Sequence, residues 1–246
     1  MDAAPFQLEI TTDAPAAFHA PPCSGSLDLR LGDCMEGMKT FPDGHFDLAI
    51  VDPPYGIGIV SQFKKTTESK RSMMRGMNGI TGSEWDSATP DGQYFEELRR
   101  VSKRQIIWGG NYFTENLPPS GGWVTWEKGV PDGMSLSQCE LAWTNCRNSV
   151  RHIRLLWAGY KKCEESERMH PTQKPVKLYD WLLANFAKPG DRILDTHMGS
   201  GSIAIACHYR GHSLTACEID ADYFHAAKAR IARETSRAEL FSPHNA

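Results

Sequence analysis

Short apolar runs alternate with amphipathic stretches along most of this chain. Apolar runs of strand length predict buried strands, whereas apolar residues that recur every three or four positions predict helices. The predicted strands are 27–31, 46–51, 105–108, 123–126, 140–143, 192–195 and 213–217. The predicted helices are 90–103, 176–187, one from about 199 to 210 and one from about 221 to 234 that Asp220 caps. This alternation indicates an α/β fold with a mostly parallel sheet flanked by helices.

The ends of the chain and one internal stretch lack this regular pattern. Residues 1–25, rich in Ala, Pro and Thr, predict a loosely ordered arm, and 237–246 predict a tail. Residues 57–89 predict a mobile basic loop. Because 246 residues suit one well-buried α/β domain, we expect residues 26–236 to form a single domain.

Composition narrows the class of protein. The hydrophobic fraction of 40% and the charged fraction of 23% are ordinary for a globular protein. The formal net charge of −3 argues against a protein that coats nucleic acid through bulk charge. Seven scattered cysteines, never spaced as Cys-x-x-Cys, predict neither a disulfide framework nor a structural zinc site. Since no signal-peptide pattern or apolar run of transmembrane length is present, we expect a cytoplasmic protein without a membrane partner.

A cluster of hydrogen-bond acceptors, Asp52-Pro53-Pro54-Tyr55, follows the predicted strand 46–51. A carboxylate at the C-terminal edge of such a strand faces the crevice where open α/β sheets bind ligands. The prolines fix φ and lack backbone donors, so the carbonyl groups of Asp52 and Pro53 point outward, and Tyr55 adds a flat ring. This cluster suits a planar group with an N–H donor, such as a flipped nucleobase with an exocyclic amine. The alternative is a Pro-rich turn in which Tyr55 is a half-buried wall residue.

A second site is predicted in the last third of the chain. The strand 192–195 is followed by a Gly-x-Gly segment, 199–202, that opens a helix, and Glu218 ends the next strand. This is the pattern of a nucleotide-binding βαβ unit, whose glycines let the backbone approach the ligand and whose acid binds ribose hydroxyl groups. From these residues alone, the unit suits a dinucleotide as well as S-adenosylmethionine. Asp33 either caps the segment 35–40 or turns its carboxylate toward a ligand's amino group.

Two basic islands are candidates for contact with nucleic acid. The first suits contact with phosphates, and the second mixes cations with aromatic residues, which suit phosphate and base surfaces together. The residues expected to contact DNA are Lys64, Lys65, Lys70 and Arg71 in the first island and Arg147, Arg151 and Arg154 in the second. A solvated loop for the first and an exposed strand edge for the second are the alternatives.

With both sites in this order, the sequence resembles the amino-methylating DNA methyltransferases, in the permuted arrangement where the catalytic half precedes the cofactor half. The resemblance covers roughly residues 27–234. Its motifs are Asp52-Pro53-Pro54-Tyr55, His170-Pro171-Thr172-Gln173-Lys174-Pro175, and the loop from Asp195 to Ser202 together with Glu218. The loop departs from the family pattern, since Thr196 and His197 stand where the family usually has Pro and Phe.

The resemblance implies a Rossmann-like fold and transfer of a methyl group from S-adenosylmethionine to an exocyclic amine of a flipped base in double-stranded DNA. Adenine N6 is favoured, because Asp at position 52 accompanies adenine more often than cytosine. The implied catalytic residues are Asp52, Pro53, Pro54 and Tyr55. The implied cofactor-binding residues are Asp33, Thr172, Lys174, Asp195, His197, Gly199, Ser200, Gly201, Ser202 and Glu218. No metal is expected, since the sulfonium is already a good leaving group.

The resemblance also implies individual roles. Lys174 would attract the cofactor carboxylate, Asp33 its adenine amino group, and His197 would replace the flat contact of Phe. Residues 128–169 are the candidate target-recognition region. The alternatives are cytosine N4 methylation, methylation of RNA or protein amines, a catalytically silent DNA-binding module and a dinucleotide oxidoreductase. Asp52 argues against RNA and protein substrates. The recognised DNA sequence, a restriction partner and a homodimer stay open.

Overall fold

The computed structural model describes residues 25–58, 88–133, 137–158, 161–162 and 173–239. The predictions for the arm, for most of the basic loop 57–89 and for Thr172 therefore lie outside the described residues, as do Lys64, Lys65, Lys70 and Arg71. Within the described residues, no helix is long and apolar enough to cross a membrane.

Eight of the described strands form one sheet, and two more form a short hairpin. In chain order the strands are β1 Leu27–Leu31, β2 Leu48–Val51, β3 Gln105–Trp108, β4 Trp123–Glu127, β5 Cys139–Thr144, β6 Val150–Arg154, β7 Trp157–Ala158, β8 Lys161–Lys162, β9 Arg192–Asp195 and β10 Ser213–Glu218. The helices are α1 Cys34–Lys39, α2 Gly92–Val101, α3 Val176–Phe186, α4 Ser202–Arg210 and α5 Ala221–Glu239.

The order of strands across the large sheet is β1-β10-β9-β2-β3-β5-β4-β6. β5 runs antiparallel to its neighbours β3 and β4, and the other described pairs of the sheet are parallel. The amino end of β5 therefore lies at the same sheet edge as the carboxyl ends of the other strands. This reversal brings Glu140, near the start of β5, to the edge at which β2 ends.

The central strands are buried on both faces, which explains why they read as continuous apolar runs. In β2, Leu48 and Ile50 pack into the cluster beneath α3, α4 and α5, whereas Ala49 and Val51 pack into the cluster that includes residues of α1 and α2. Helices thus cover both faces of the sheet, as expected for an α/β fold.

Side-chain and glycine caps set the helix boundaries. Asp33 accepts a hydrogen bond from the Met35 amide at 2.8 Å, which confirms the prediction that it caps this segment. Asp91 caps α2 through the Tyr94 amide at 3.0 Å. Gly211, with φ of 69°, ends α4 in the left-handed conformation that favours glycine. The pattern of apolar residues did not predict β6 and β8, which are rich in basic residues, or β7, which is only two residues long.

Candidate active site

Two sequence motifs meet at the carboxyl edge of the sheet. Asp52 directly follows β2, and Glu218 ends β10, with β9 between these two strands. Both carboxylates line a single cavity of about 510 Å³. This volume lies in the range of small-molecule sites. The described residues therefore join the predicted acceptor cluster and the predicted nucleotide site in one space.

The Asp52 carboxylate has two donors inside the protein. The Tyr55 hydroxyl donates to Oδ1 at 2.6 Å, and the Lys174 ammonium donates to Oδ2. Lys174 also lies 3.3 Å from the Tyr55 hydroxyl, and its side chain is only 3% exposed. Asp52 is thus held in place by a residue of its own motif and by one that follows 122 positions later.

A second carboxylate, Glu140, extends this charged cluster. One of its oxygens lies 3.3 Å from the Lys174 ammonium, and the other accepts a hydrogen bond from Lys128 at 3.1 Å. Asp52, Lys174, Glu140 and Lys128 form a chain of alternating charge, in which each buried ion has an opposite neighbour. The sequence analysis did not identify Glu140 or Lys128 as site residues. Glu140 reaches the site because β5 is antiparallel to its neighbours, and no local pattern shows that direction. Lys128 joins the cluster through its hydrogen bond to Glu140.

Burial and charge shift the ionisation of this cluster. Burial raises the pKa of Asp52, and the Lys174 ammonium limits that rise. Burial would lower the pKa of Lys174, but Asp52 and Glu140 overcome it and hold that pKa above its ordinary value. Lys174 is therefore a permanent cation beside Asp52 at neutral pH.

Tyr55 is held in position by close neighbours. Its ring stacks on Tyr112 with centroids 5.0 Å apart and an interplanar angle of 16°. Gly109 has φ of 70°, and a Cβ at that position would lie 2.3 Å from the Tyr55 ring. Tyr112 is 46% exposed and lies in the Gly-rich turn after β3. The position of this turn, directly after a parallel strand, is the signal that could have identified Tyr112 as a site residue.

The cofactor loop places some predicted residues in the cavity and others beneath it. Its wall includes His197, Gly199 and Ser200 of the loop, with the unpredicted Thr196 and Met198. Gly201 and Ser202 are not among its lining residues; Gly201 caps α4, and Ser202 is buried against Arg230, whose guanidinium donates to it at 2.9 Å.

Asp195 supports the loop from below. It is 2% exposed and is not among the lining residues of the cavity. Its Oδ1 accepts the His197 amide at 3.0 Å. Burial raises its pKa to about 8. In the described structure Asp195 shapes the cofactor loop without facing the cavity.

Both carboxylate oxygens of Glu218 accept hydrogen bonds from backbone amides. Oε2 accepts from Gly199 at 2.9 Å, and Oε1 accepts from Asp220 at 3.0 Å. Burial raises its pKa. A carboxylate oxygen has room for more than one hydrogen bond, so Glu218 can still accept from ribose hydroxyl groups.

The two remaining cofactor predictions have different outcomes. Asp33 lines the same cavity as Glu218 while it caps α1, so its two predicted roles are compatible. Lys174 also lines the cavity, but its ammonium is bound to Asp52 and Glu140. The adjacent Gln173 is a lining residue that the sequence analysis did not assign to the cofactor.

The three arginines predicted for DNA contact in the second island are not among the lining residues of the cavity. Arg147 donates to the Asn185 carbonyl at the end of α3, and Arg151 approaches the Asn185 side chain at 3.5 Å. Arg154 pairs with Glu127 at 3.1 Å. Arg151 and Arg154 belong to the sheet's last strand, four strands from β2, so DNA contact through this island stays a prediction.

Sequence comparisons show similarity to DNA methyltransferases. A family model described as DNA methylase matches residues 118–229, which include Lys174, the cofactor loop and Glu218. The Type II methyltransferase M.HinfI of Haemophilus influenzae is 25% identical over 249 residues, covering 81% of this chain and 67% of the relative. The Type II methyltransferase M.HpaI of Haemophilus parainfluenzae is 33% identical over 72 residues, covering 29% of this chain and 23% of the relative.

Solved structures share the fold. The M1.HpyAVI–SAM complex aligns with a TM-score of 0.51 and 18% identity, over 83% of this chain and 99% of that chain. The PvuII DNA methyltransferase, described as cytosine-N4-specific, aligns with a TM-score of 0.55 and 11% identity, over 89% of this chain and 95% of that chain. The matched segment, the relatives and the shared fold all make the chain similar to the amino-methylating DNA methyltransferases.

Proposed function

We propose that this protein transfers a methyl group from S-adenosylmethionine to the N6 amino group of adenine in DNA. The match of residues 118–229 to a DNA methylase model, the Type II methyltransferase relatives and the shared fold support a DNA methyltransferase that uses S-adenosylmethionine. The choice of adenine is supported by the residue type at position 52, since in this family Asp accompanies adenine more often than cytosine.

The observation on which the proposal rests is the shared cavity. Asp52 and Pro54 line it on the side of β2, and Glu218 lines it on the side of β10. A nucleoside bound through Glu218 therefore extends past β9 toward Asp52. Such a position would bring the methyl group on the sulfur of S-adenosylmethionine close to an amine bound at Asp52. Alignment of reacting atoms supplies a large part of enzymatic rate enhancement.

The acceptors at the end of β2 would activate the target amine. An exocyclic amine of a nucleobase is a weak nucleophile, because its lone pair is delocalised into the ring. The Asp52 carboxylate and the Pro53 carbonyl would accept its two N–H groups and favour a more tetrahedral nitrogen. Tyr55 and Lys174 hold Asp52 before DNA binds, so the acceptor is already in position.

The described residues fit the cofactor. Bound S-adenosylmethionine supplies a methyl group on a sulfonium sulfur, which is a good leaving group. Glu218 has acceptor capacity for its ribose hydroxyl groups, and the exposed side chain of Ile219 provides an apolar surface in the same cavity. The target base, flipped out of the duplex, would stack against the aromatic pair Tyr55 and Tyr112.

Product analysis tests this proposal. The protein is incubated with unmethylated DNA and S-adenosylmethionine, and the DNA is digested to nucleosides for mass spectrometry. We expect N6-methyldeoxyadenosine. The matched control is the same incubation with Asp52→Ala, which keeps the cofactor wall formed by Glu218. Absence of any methylated nucleoside from the wild-type reaction, despite measurable cofactor binding, would overturn the proposal.

Cytosine N4 is the second candidate. The same acceptor pair would activate its amine, and one structure with this fold is described as cytosine-N4-specific. Detection of N4-methyldeoxycytidine in place of N6-methyldeoxyadenosine would keep the chemistry and correct the base.

A further inference from the structure

Four backbone amides of the cofactor loop donate hydrogen bonds to acceptors within the protein. Glycine loops at the start of a helix commonly offer such amides to an anionic ligand. Here the donor–acceptor pairs are His197 N to Asp195 Oδ1 at 3.0 Å, Met198 N to Cys217 O at 2.8 Å, Gly199 N to Glu218 Oε2 at 2.9 Å and Gly201 N to Met198 O at 2.9 Å. These four amides therefore have acceptors within the protein and are not open to a carboxylate in the adjoining cavity.

The cation predicted for that role is also engaged. Lys174 donates to Asp52 and lies 3.3 Å from Glu140, so two carboxylates share its charge. Its side chain is 3% exposed, which leaves little surface for a third anion. The carboxylate of the cofactor's methionine portion thus lacks an obvious cationic partner among the described lining residues.

A relay of hydrogen bonds ends at His197. The Tyr94 hydroxyl lies 2.7 Å from Thr196 Oγ1, which lies 2.9 Å from His197 Nδ1. Tyr94 is buried, and Thr196 is its hydrogen-bond partner among the described residues. A buried donor without an acceptor costs more than an unused lone pair, so Tyr94 donates to Thr196. Thr196 then donates to His197 Nδ1, and the ring proton of His197 resides on Nε2.

His197 is placed between the two ends of the cavity. It follows β9, which lies between β2 with Asp52 and β10 with Glu218. The methionine portion of a cofactor whose ribose binds Glu218 and whose methyl group faces Asp52 passes this position. Burial lowers the pKa of His197 to about 4, so at neutral pH its ring is uncharged and presents a single N–H donor.

We propose that His197 donates a hydrogen bond from Nε2 to the carboxylate of the cofactor's methionine portion, with Tyr94 and Thr196 fixing the required tautomer. His197, which stands where the family usually has Phe, would then combine the flat contact of that ring with a hydrogen-bond donor. This inference rests on the proposed function, because it takes S-adenosylmethionine as the cofactor.

Ligand binding measured by calorimetry tests the donor. The probes are S-adenosylhomocysteine and its decarboxylated analogue, which keeps the amine but lacks the carboxylate. The test variant is His197→Phe, which restores the family residue and keeps a flat ring. His225→Phe is the matched control, because His225 is exposed on α5 and does not line the cavity.

The deciding quantity is the preference for the carboxylate, which is the ratio of the affinity for S-adenosylhomocysteine to the affinity for its decarboxylated analogue. A hydrogen bond to a charged group is strong, so His197→Phe should lower S-adenosylhomocysteine affinity at least about tenfold and leave the decarboxylated analogue within about twofold. Thr196→Val, which frees the tautomer, should lower the preference by a smaller factor, and His225→Phe should not change it. An unchanged preference in His197→Phe, or an equal loss of both ligands, would overturn the proposal.

A measurement on the wild-type protein is independent of how the variants fold. In ¹⁵N-histidine-labelled protein, long-range proton–nitrogen spectra distinguish the two neutral tautomers of each ring. We expect His197 as the Nε2–H tautomer, and a proton on Nδ1 would contradict the relay. If the wild-type protein bound neither probe, the proposed function itself would fail, whereas binding with an unchanged preference would refute the role of His197 alone.

Discussion

The ammonium group of Lys174 donates a hydrogen bond to the carboxylate of Asp52, although the two residues are 122 positions apart in the chain. Lys174 precedes α3 and Asp52 follows β2, so the contact exists only in the folded domain. With Tyr55 as a second donor, Asp52 is oriented before any substrate binds. Such preorganisation lowers the reorganisation needed during the reaction.

Asp52→Ala should separate catalysis from cofactor binding. Loss of the acceptor should reduce methyl transfer at least about a thousandfold. Affinity for S-adenosylmethionine should stay within about threefold, a free-energy change below about 1 kcal/mol, because Glu218 and the loop remain. Transfer of tritiated methyl groups to DNA and calorimetry measure the two effects. Asp43→Asn, at an exposed carboxylate paired with Arg100, is the control, and undiminished transfer in Asp52→Ala would refute the assigned role.

Glu218→Ala should weaken the cofactor site. The substitution removes the acceptor for ribose and leaves the Gly199 and Asp220 amides without their partner. We expect the affinity for S-adenosylhomocysteine to fall about ten- to a hundredfold, as for loss of hydrogen bonds to a charged group. Asp222→Ala, at an exposed acid in the first turn of α5, should bind normally. Equal affinities of Glu218→Ala and wild type would remove Glu218 from the site.

Gly109→Ala should damage both stability and activity. The left-handed backbone at φ of 70° costs an alanine about 1–2 kcal/mol. The added Cβ, 2.3 Å from the Tyr55 ring, would also displace Tyr55 and its hydrogen bond to Asp52. We therefore expect the free energy of unfolding to fall by more than about 2 kcal/mol and methyl transfer by more than about tenfold.

A matched glycine separates the two costs of that substitution. Gly190 has φ of 83°, and a Cβ there would meet nothing within 4 Å. Gly190→Ala should show the backbone cost alone, with normal methyl transfer. Urea unfolding and an activity assay measure both variants, and equal behaviour would show that Gly109 is not needed to seat Tyr55.

Asp195→Asn should flatten the dependence of stability on pH. The folded-state pKa of Asp195 is raised by burial to about 8 from an ordinary value of 3.8, so the folded protein holds a proton that the unfolded chain releases. The contribution of this group is therefore fully present below about pH 4 and is lost as the pH rises toward 8. Asparagine keeps an acceptor for the His197 amide without a charge.

The measurement compares urea unfolding of the two proteins at about pH 5 and about pH 8 without cofactor. We expect the variant to gain stability relative to wild type at the higher pH, by a few kcal/mol, because it has no buried carboxylate to ionise. Asp222→Asn should follow the wild-type curve. If Asp195→Asn had the wild-type pH dependence, the buried Asp195 would not be the titrating group.

Local patterns predicted much of the fold. The apolar run that ends at Val51 is a strand because it is buried on both faces, and the amphipathic repeat after Lys174 became helix α3, which ends one residue earlier than predicted, at Phe186. Asp33 caps its helix through an interaction with a residue two positions away. Interactions over such short distances are set by neighbouring residues, so sequence reasoning can find them.

Long-range pairing decided what the local pattern left open. Glu140 reaches the site only because β5 runs against its neighbours, and no residue within β5 records that direction. Asp195 belongs to the cofactor motif, yet its carboxylate accepts a hydrogen bond from the His197 amide and is not part of the cavity lining. Motif membership therefore identified the loop correctly without deciding which of its side chains faces the cavity.

The sequence by itself determined an α/β domain, an acceptor cluster after β2, a glycine loop after β9 and an acid at the end of β10, because each follows from residue types at fixed local spacing. The tertiary structure decided that these elements share one cavity, that Lys174 binds Asp52 and Glu140, and that Tyr94 and Thr196 orient His197. These contacts join residues far apart in the chain, and their geometry depends on strand order and direction, which the packing of the whole sheet sets.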